Sequence, residues 1–582
     1  MFFLKDKFKK NKKNIVFVKN FYDDISLKEI KKEGYSIINF VVFRENNYQI
    51  QINKSFKIHT RILNIISKKF KKNLYSKNKK FINIFIGRWL FSYISNCIYF
   101  FNLLKKIKNK YPKAALVQKK GNFLTNDKYF LPEATDRFIN YFINEIGRYL
   151  NFRIIKLNNL NSSKYISPNY ETKKKNETTE NLYKCSRKLL SIISILISKI
   201  IYQKTIYLHN NCLSTIETIK LILKSKFKFS YLFTVEKKNK IINEEEYFKN
   251  KNFIKFFWKI NKKKNLYNFI LTYLEKYLPS DYKKLIVENF KKDTEQNKSK
   301  KDILITKNLS DPKNLNFKSF YMKNYYNTLL ISLQHGGGYG IDKDLFLENF
   351  EREASDYFIS WGWQGKKIIK LPQKLETTNQ SIINGIKKEI GKFVLFVPWS
   401  LNRSYLSHLK NADYYVTKSL NPSVKFLNKL SREYKVVVKL PPFKNSWREL
   451  KNYNINRNII IVKDEFKLLD LARASEFTIH NHLNTTALQT LSIKTPTFIF
   501  CDKKFLKHKI EFRRDLKKLI GSKIFFYNES KLLKYIRSSQ FNVKKWWNSK
   551  IVEENRKKFC QKYINTSANY HEKWLQKILK VK

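Results

Sequence analysis

The stretch Leu329-Leu-Ile-Ser-Leu-Gln-His335-Gly-Gly-Gly-Tyr-Gly340 decides how the rest of this chain reads. A short apolar run of this kind is a buried strand, and it ends on a histidine followed by four glycines in five residues. The chain of 582 residues has only 13 glycines, so a scarce residue type is concentrated here. Glycine lets the backbone approach a ligand closely and offer its N–H groups where a Cβ would stand in the way. An imidazole at the mouth of such a loop, at the carboxyl end of a strand, sits where open α/β sheets bind ligands. A tight turn with an incidental histidine would need one glycine or two.

Working outward, short apolar strands are expected at Asp302–Thr306, Thr328–Leu333, Tyr357–Ser360, Phe393–Val397, Val436–Leu440, Ile459–Val462, Phe477–His480, Thr497–Phe500 and Lys523–Tyr527. Most are separated by spans long enough for a helix, the rhythm of a parallel sheet covered on both faces. Residues 302–545 therefore read as a Rossmann-like α/β lobe. Upstream, 22–110 reads as mostly helical, Ala114 to Gln118 and Thr205 to His209 as strands, and Ser214 to Lys224 as a helix. Asp136 to Leu150 places Phe138, Tyr141, Phe142 and Ile146 on one helical face. The polar stretch 161–181 reads as an exposed insertion, and the charged run 291–301 as a linker closing an N-terminal lobe, 1–290. The aromatics of 546–582 suggest a helical segment docking back.

A net charge of +70 ordinarily points to nucleic acid or an anionic membrane. Here Lys, Asn, Ile, Phe and Tyr are abundant together while Gly, Ala, Pro and Met are scarce, the joint bias of an AT-rich coding sequence. The lysines are spread along the chain, so nucleic acid is not the expected partner; anionic substrates and anionic lipid headgroups would still be attracted. Five scattered cysteines without a CxxC pair fit a reducing compartment and no structural zinc. The N-terminus lacks a secretory h-region, which points to the cytoplasm. The apolar runs Trp89 to Leu104 and Leu189 to Ser198 are short for membrane spans, and both read as buried core helices, with a surface-lying helix as the alternative.

After the glycine loop, a helix over Lys343 to Ala354 carries Glu348 and Glu351. Glu351 is a candidate to orient His335, as carboxylates do for catalytic imidazoles, whereas Glu348 reads as an i,i+4 partner of Arg352. Trp361 and Trp363 flank Gly362, either packing in the core or stacking on a sugar or base. A second informative segment runs from Glu476 to Phe500: a strand ends at His480, a polar loop follows, and Asn484 or Thr485 caps a helix opening on Thr486. Amides and hydroxyls at such a helix start suit a phosphate. Lys439 and Arg403, after their own strands, could meet a diphosphate. His335, His480 and His482 lack a neighbouring acidic ligand in sequence, so no metal is expected.

On these segments the chain resembles a family of bacterial transferases assigned to surface-polysaccharide biosynthesis. The resemblance rests on Gln334-His-Gly-Gly-Gly-Tyr-Gly340, Glu351, Ser355-Asp356-Tyr-Phe-Ile-Ser-Trp-Gly-Trp363, Gly87-Arg-Trp-Leu90 and the His480–Thr486 loop. It implies two Rossmann-like lobes of glycosyltransferase B type with the active site between them. More distantly the chain is similar to glycerol- and ribitol-phosphate polymer transferases, which would give His335–Gly336 and Thr485–Thr486 the handling of a nucleotide-activated donor. Lys439 stands where an arginine-bearing strand end is the pattern, and no DxD-type motif stands in a convincing place.

The expectation is thus a cofactor-free, metal-independent transferase acting on a nucleotide-activated donor and a glycan or lipid-linked acceptor, with peripheral contact to an anionic membrane. His335 would be the base, with Glu351 behind it. Gly336, Gly337, Gly338, Arg403, Lys439, His480, Asn484, Thr485 and Thr486 would hold the donor. The rivals are a nucleic-acid-binding protein, a non-catalytic Rossmann-like module assisting polysaccharide assembly, and an epimerase of the same plan.

Overall fold

Apolar, β-branched runs make the strands and longer amphipathic segments make the helices, as their periodicities require. The computed structural model describes residues 45–69, 79–110, 112, 115–119, 136–157, 177–202, 204–209, 213–232, 265–278, 302–307, 309, 328–343, 345–377, 379–399, 412–441, 453–462, 466–503, 506–538 and 541–581. In chain order the strands are β1 (Ala115–Lys119), β2 (Arg153–Leu157), β3 (Ile206–His209), β4 (Phe229–Tyr231), β5 (Asp302–Thr306), β6 (Thr328–Leu333), β7 (Tyr357–Ser360), β8 (Ile368–Lys370), β9 (Gln373–Lys374), β10 (Val394–Val397), β11 (Val436–Lys439), β12 (Ile459–Val462), β13 (Thr478–His480), β14 (Thr497–Phe500), β15 (Phe525–Phe526) and β16 (Thr566–Ser567). The helices are α1 (Glu45–Lys69), α2 (Lys79–Lys110), α3 (Asp136–Tyr149), α4 (Glu177–Ile201), α5 (Thr215–Lys224), α6 (Leu266–Tyr277), α7 (Phe346–Ala354), α8 (Gln380–Ile390), α9 (Ala412–Leu430), α10 (Leu468–Ala474), α11 (Thr485–Ser492), α12 (Ile510–Gly521), α13 (Glu529–Ile536), α14 (Val543–Trp547), α15 (Lys550–Tyr563) and α16 (Tyr570–Ile578).

Two six-stranded parallel sheets dominate, in the orders β4-β3-β5-β6-β7-β8 and β12-β11-β10-β13-β14-β15. The inner strands β10 and β14 are buried along their whole length, as strands covered on both faces must be. This pairing corrects the expected lobe boundary. The run 291–301 lies outside the described residues, but β5 after it pairs with β3 before it, Ile206 opposite Ile303. Strands β5 to β8 thus belong to the first lobe, and the chain passes to the second between Lys374 and Gln380. A charged run resembles a border, yet strand partners far apart in sequence decide the lobe. His335 consequently belongs to the first lobe and Thr485 to the second.

The apolar run from Trp89 is indeed a core helix. One described helix, Ile82–Lys110, is long and apolar enough to cross a membrane, and 89% of its apolar window is buried inside the protein. Its Trp89, Tyr93 and Phe100 pack with Phe142 of α3, Phe269 of α6 and Phe346 of α7. The run from Leu189 is not fully core: Leu190 and Ile195 pack partly on the core, but α4 turns Leu189, Ile192, Ile193, Leu196 and Ile200 outward and its serines inward. The insertion expected over 161–181 falls largely outside the described residues, except that α4 starts at Glu177.

The C-terminal segment returns from the second lobe to the first. Phe559 and Tyr563 of α15 belong to the second lobe's core, while Tyr570, Trp574 and Ile578 of α16 pack with Ile303, Ile331 and Leu371 of the first. Between them β16 runs parallel to β9, Thr566 opposite Gln373. Glu217 of α5 anchors α16 by accepting from the Tyr570 hydroxyl and lying 3.0 Å from His571 Nε2. Two parallel-sheet lobes, a helical N-terminal region and a returning C-terminal helix make this the glycosyltransferase B type of α/β plan.

Candidate active site at the junction of the two lobes

The glycine loop is braced from beneath. Gln334 donates through Nε2 to the Gly336 carbonyl at 2.9 Å, and its Oε1 accepts from Trp361 N at 2.9 Å and Trp363 Nε1 at 2.8 Å. One amide side chain thus ties the carboxyl ends of β6 and β7. Trp361 and Trp363 are buried, so they pack rather than offering a stacking face. Gly340 has φ +75°, and a Cβ there would lie 2.7 Å from the Trp363 ring. Its N–H donates to Glu348 Oε2 at 2.8 Å. The expected Arg352–Glu348 pair is present at 3.2 Å, but Glu348 also accepts from Lys509 Nζ of the second lobe at 2.7 Å. This buried carboxylate, with three donors, joins loop, helix and opposite lobe.

Beside it, His335 Nε2 lies 3.1 Å from Glu351 Oε1 and 2.7 Å from the Tyr339 hydroxyl, which is itself 2.9 Å from Glu351 Oε2. The phenol has one proton. Donating it to the carboxylate leaves its lone pairs for an Nε2–H of the imidazole, so all three contacts are satisfied by the tautomer protonated on Nε2. Nδ1 is then the basic nitrogen, and among the described residues nothing pairs with it. Glu351 is wholly buried, while the His335 side chain keeps 21% of its surface exposed. Burial, then the Glu351 charge, pushes the Tyr339 phenol well above its usual range, with Arg88 opposing, so it remains a donor at neutral pH.

The Gly87–Leu90 motif supports this group from behind. A Cβ on Gly87 would lie 2.8 Å from the Phe350 ring, one residue before Glu351, and 1.9 Å from Asn83 Oδ1. His59 Nε2 pairs with the Gly87 carbonyl at 2.9 Å, and Phe91 stacks on Phe346 at 3.8 Å. Asp356, by contrast, accepts from Leu330 N and pairs with Lys80 at the amino end of β7, a bracing role on the far side of the sheet.

In the second lobe Asn484 caps α11, accepting from Ala487 N at 3.2 Å and from the Thr486 hydroxyl at 2.6 Å. His480 is fully buried between the hydroxyls of Thr490 (3.0 Å) and Thr486 (3.5 Å), and burial drives its pKa down to about 3. It holds the start of α11 in place as a neutral ring and does not reach a ligand, which corrects its expected contact with phosphate. Lys439 stands half-buried at the carboxyl end of β11, register partner of Val462. Arg403 lies outside the described residues. His482 stacks on Trp399 at 4.2 Å. Among the described residues no group of three or more His, Cys, Asp or Glu is placed to hold a metal ion.

The two halves of the site meet where the glycine loop touches the start of α11. Gly337 N donates to Thr485 Oγ1 at 2.8 Å, and a Cβ on Gly337 would sit 2.6 Å from Thr485 N. Gly336 faces the same threonine, with 4.0 Å to its hydroxyl, whereas Gly338 abuts Asp342. The structure therefore brings together His335, Gly336, Gly337, Glu351, Asn484, Thr485 and Thr486. Sequence reasoning passed over Tyr339, whose only signal was a bulky residue set among glycines, and the bracing role of Gln334.

A model of the LIC12162 family of transferases matches residues 3–579. The chain belongs to that family. No curated protein matches this transferase. Among solved structures it is similar to Anabaena HepE in complex with UDP-glucose, at 9% identity over 65% of this chain and 100% of that one, TM-score 0.36. It is also similar to the glycosyltransferase SnogD from Streptomyces nogalater, at 9% identity over 64% and 99%, TM-score 0.30. Likeness at that level says nothing of activity.

Proposed function

We propose that this transferase moves a glycosyl group, or a polyol-phosphate, from a nucleotide-activated donor to a growing surface glycan, in the cytoplasm and without a metal ion. The observation that carries the reading is the Gly337–Thr485 contact, which sets the amides of the glycine loop against the start of α11 beside His335. Amides at a helix start and on a glycine loop are suited to the oxygens of a diphosphate. Lys439, at the strand end on the same edge of the second sheet, supplies a cation for the same group.

The acceptor hydroxyl gives its proton to His335 Nδ1 as its oxygen bonds to the donor carbon or phosphorus. The bond to the leaving nucleotide breaks with its electron pair passing to a phosphate oxygen, which the loop and helix amides stabilise. Glu351 and Tyr339 hold the Nε2–H and balance the imidazolium that forms. The surface-glycan acceptor rests on the resemblance of Gln334–Gly340 and its companion motifs.

The test is His335→Ala with a panel of nucleotide sugars, scored for donor binding by thermal shift and for turnover by nucleotide release. Turnover should fall about 10²- to 10⁴-fold while donor affinity holds within a few-fold. Unchanged turnover removes the base and the reading with it.

A further inference from the structure

Helix α4 packs Leu190 and Ile195 partly on the core yet exposes a further aliphatic face. Ser191, Ser194 and Ser198 face inward, where Ser194 Oγ accepts from Tyr231 N at 3.0 Å, Ser230 Oγ donates to the Ser194 carbonyl at 2.9 Å, and Ser198 Oγ donates to Thr205 Oγ1 at 3.1 Å. The opposite face shows Leu189, Ile192, Ile193, Leu196 and Ile200 to solvent, with Ile201 beyond them, each between 44% and 82% exposed. At 100° per residue the first five lie on a single stripe, bordered by exposed Lys188 and Lys199. Neighbouring α5 is joined to α4 by Arg187 Nη2 donating to Thr215 Oγ1 at 3.0 Å. Aliphatic side chains concentrated in this way mark a contact surface rather than scattered exposure.

We infer that this face of α4 docks the protein on an anionic phospholipid surface, lying in the headgroup plane with its aliphatic stripe in the acyl boundary. Charge chooses the occupant. The chain carries a formal +70, so a second copy meeting this face brings strong mutual repulsion, whereas an anionic bilayer attracts it. A stripe of isoleucine and leucine bordered by lysine is the pattern of a helix that lies in an interface rather than crossing it. The inference is independent of the transferase reading, because it is read out by lipid partition and not by turnover.

The experiment is co-sedimentation of the full chain with vesicles of phosphatidylcholine alone and of phosphatidylcholine mixed with phosphatidylglycerol, beside an Ile192→Asn/Leu196→Asn double variant. Both positions are exposed, so the variant should fold, and an unchanged far-UV circular dichroism spectrum checks this. Wild type should partition onto the anionic vesicles and weakly onto the neutral ones, and the variant's partition coefficient should be at least about tenfold lower. Equal partition of the variant would mean that charge alone holds the protein, and overturns the inference. So would absence of vesicle binding, or a concentration-dependent dimer in vesicle-free solution that the variant abolishes.

Discussion

Replacing Gly337 by alanine separates the proposed site from a merely well-packed loop. The new Cβ would stand 2.6 Å from Thr485 N, 2.8 Å from its Cα and 2.9 Å from the Asn484 carbonyl carbon, all backbone atoms of a capped helix start. Ordinary contact begins at 3.4 Å, so loop and helix must part by about 0.8 Å (3.4 less 2.6), and the 2.8 Å bond from Gly337 N to Thr485 Oγ1 is lost. Strain of this kind costs about 1–3 kcal/mol, and misplacing a catalytic loop by close to an ångström costs about 10²-fold in rate. Gly336→Ala is the internal control, since its Cβ would meet nothing nearer than 3.6 Å. The assay pairs thermal unfolding with nucleotide release from the sugar-nucleotide panel. Gly337→Ala should lose both stability and turnover, and Gly336→Ala should stay within about 0.5 kcal/mol of wild type. Equal behaviour of the two variants would refute the seam between loop and helix as the working surface.

Other perturbations reach the same group by different routes. Glu351→Gln presents an N–H to His335 Nε2 and favours the wrong tautomer; kcat should fall about 10²- to 10⁴-fold with donor KM little changed, and the loss should be visible across the pH–rate profile. Tyr339→Phe leaves Glu351 Oε2 short of a buried donor and should cost about 1–3 kcal/mol in urea denaturation, together with a drop in turnover that His335→Ala does not deepen additively. Acid should destabilise the fold through His480 and His209, which burial holds down to about 3 and about 4, below the usual histidine value of 6.5. Below that value the unfolded chain takes up protons that the folded one refuses, so stability is lost as pH falls, by up to about 1.4 kcal/mol per pH unit for each ring. Urea midpoints between about pH 7 and about pH 5 should show that slope, and His480→Asn should flatten it.

Local pattern carried the strands and the histidine loop; long-range pairing did not show. Asp302–Thr306 and Thr328–Leu333 were legible because runs buried on both faces are continuously apolar. Their lobe was not, because nothing in the run 291–301 reports that β5 will lie beside β3. His335 and Glu351 could be paired on paper through a strand end and the helix after it, although α7 begins at Phe346 rather than Lys343. Tyr339 escaped notice because its position depends on how the glycine turn folds back. His480 misled for a physical reason: at the end of a strand a histidine reads as exposed, yet α11 covers it with two threonine hydroxyls. The second apolar run misled in the opposite sense, since three small serines in α4 pack more closely on the sheet edge than its isoleucines do.

Among the described residues the chain crosses between the lobes twice, just after β9 and just before β16, and those two strands are hydrogen-bonded neighbours. Asn565 fastens the second crossing further: its N–H donates to Trp361 O at 2.8 Å and its carbonyl accepts from Gln373 N at 2.7 Å. Bare backbone at Gly362 lets the end of α15 close in, since a Cβ there would fall 2.4 Å from Gln561 O. Beside the glycine loop the lobes are laced again, where Lys343 N donates to Lys507 O at 2.8 Å, Lys509 N to Ile341 O at 2.9 Å and Lys509 Nζ to Glu348 Oε1 at 2.7 Å. The Gly337–Thr485 bond belongs to that same seam, so parting the loop from the start of α11 means releasing the whole set together.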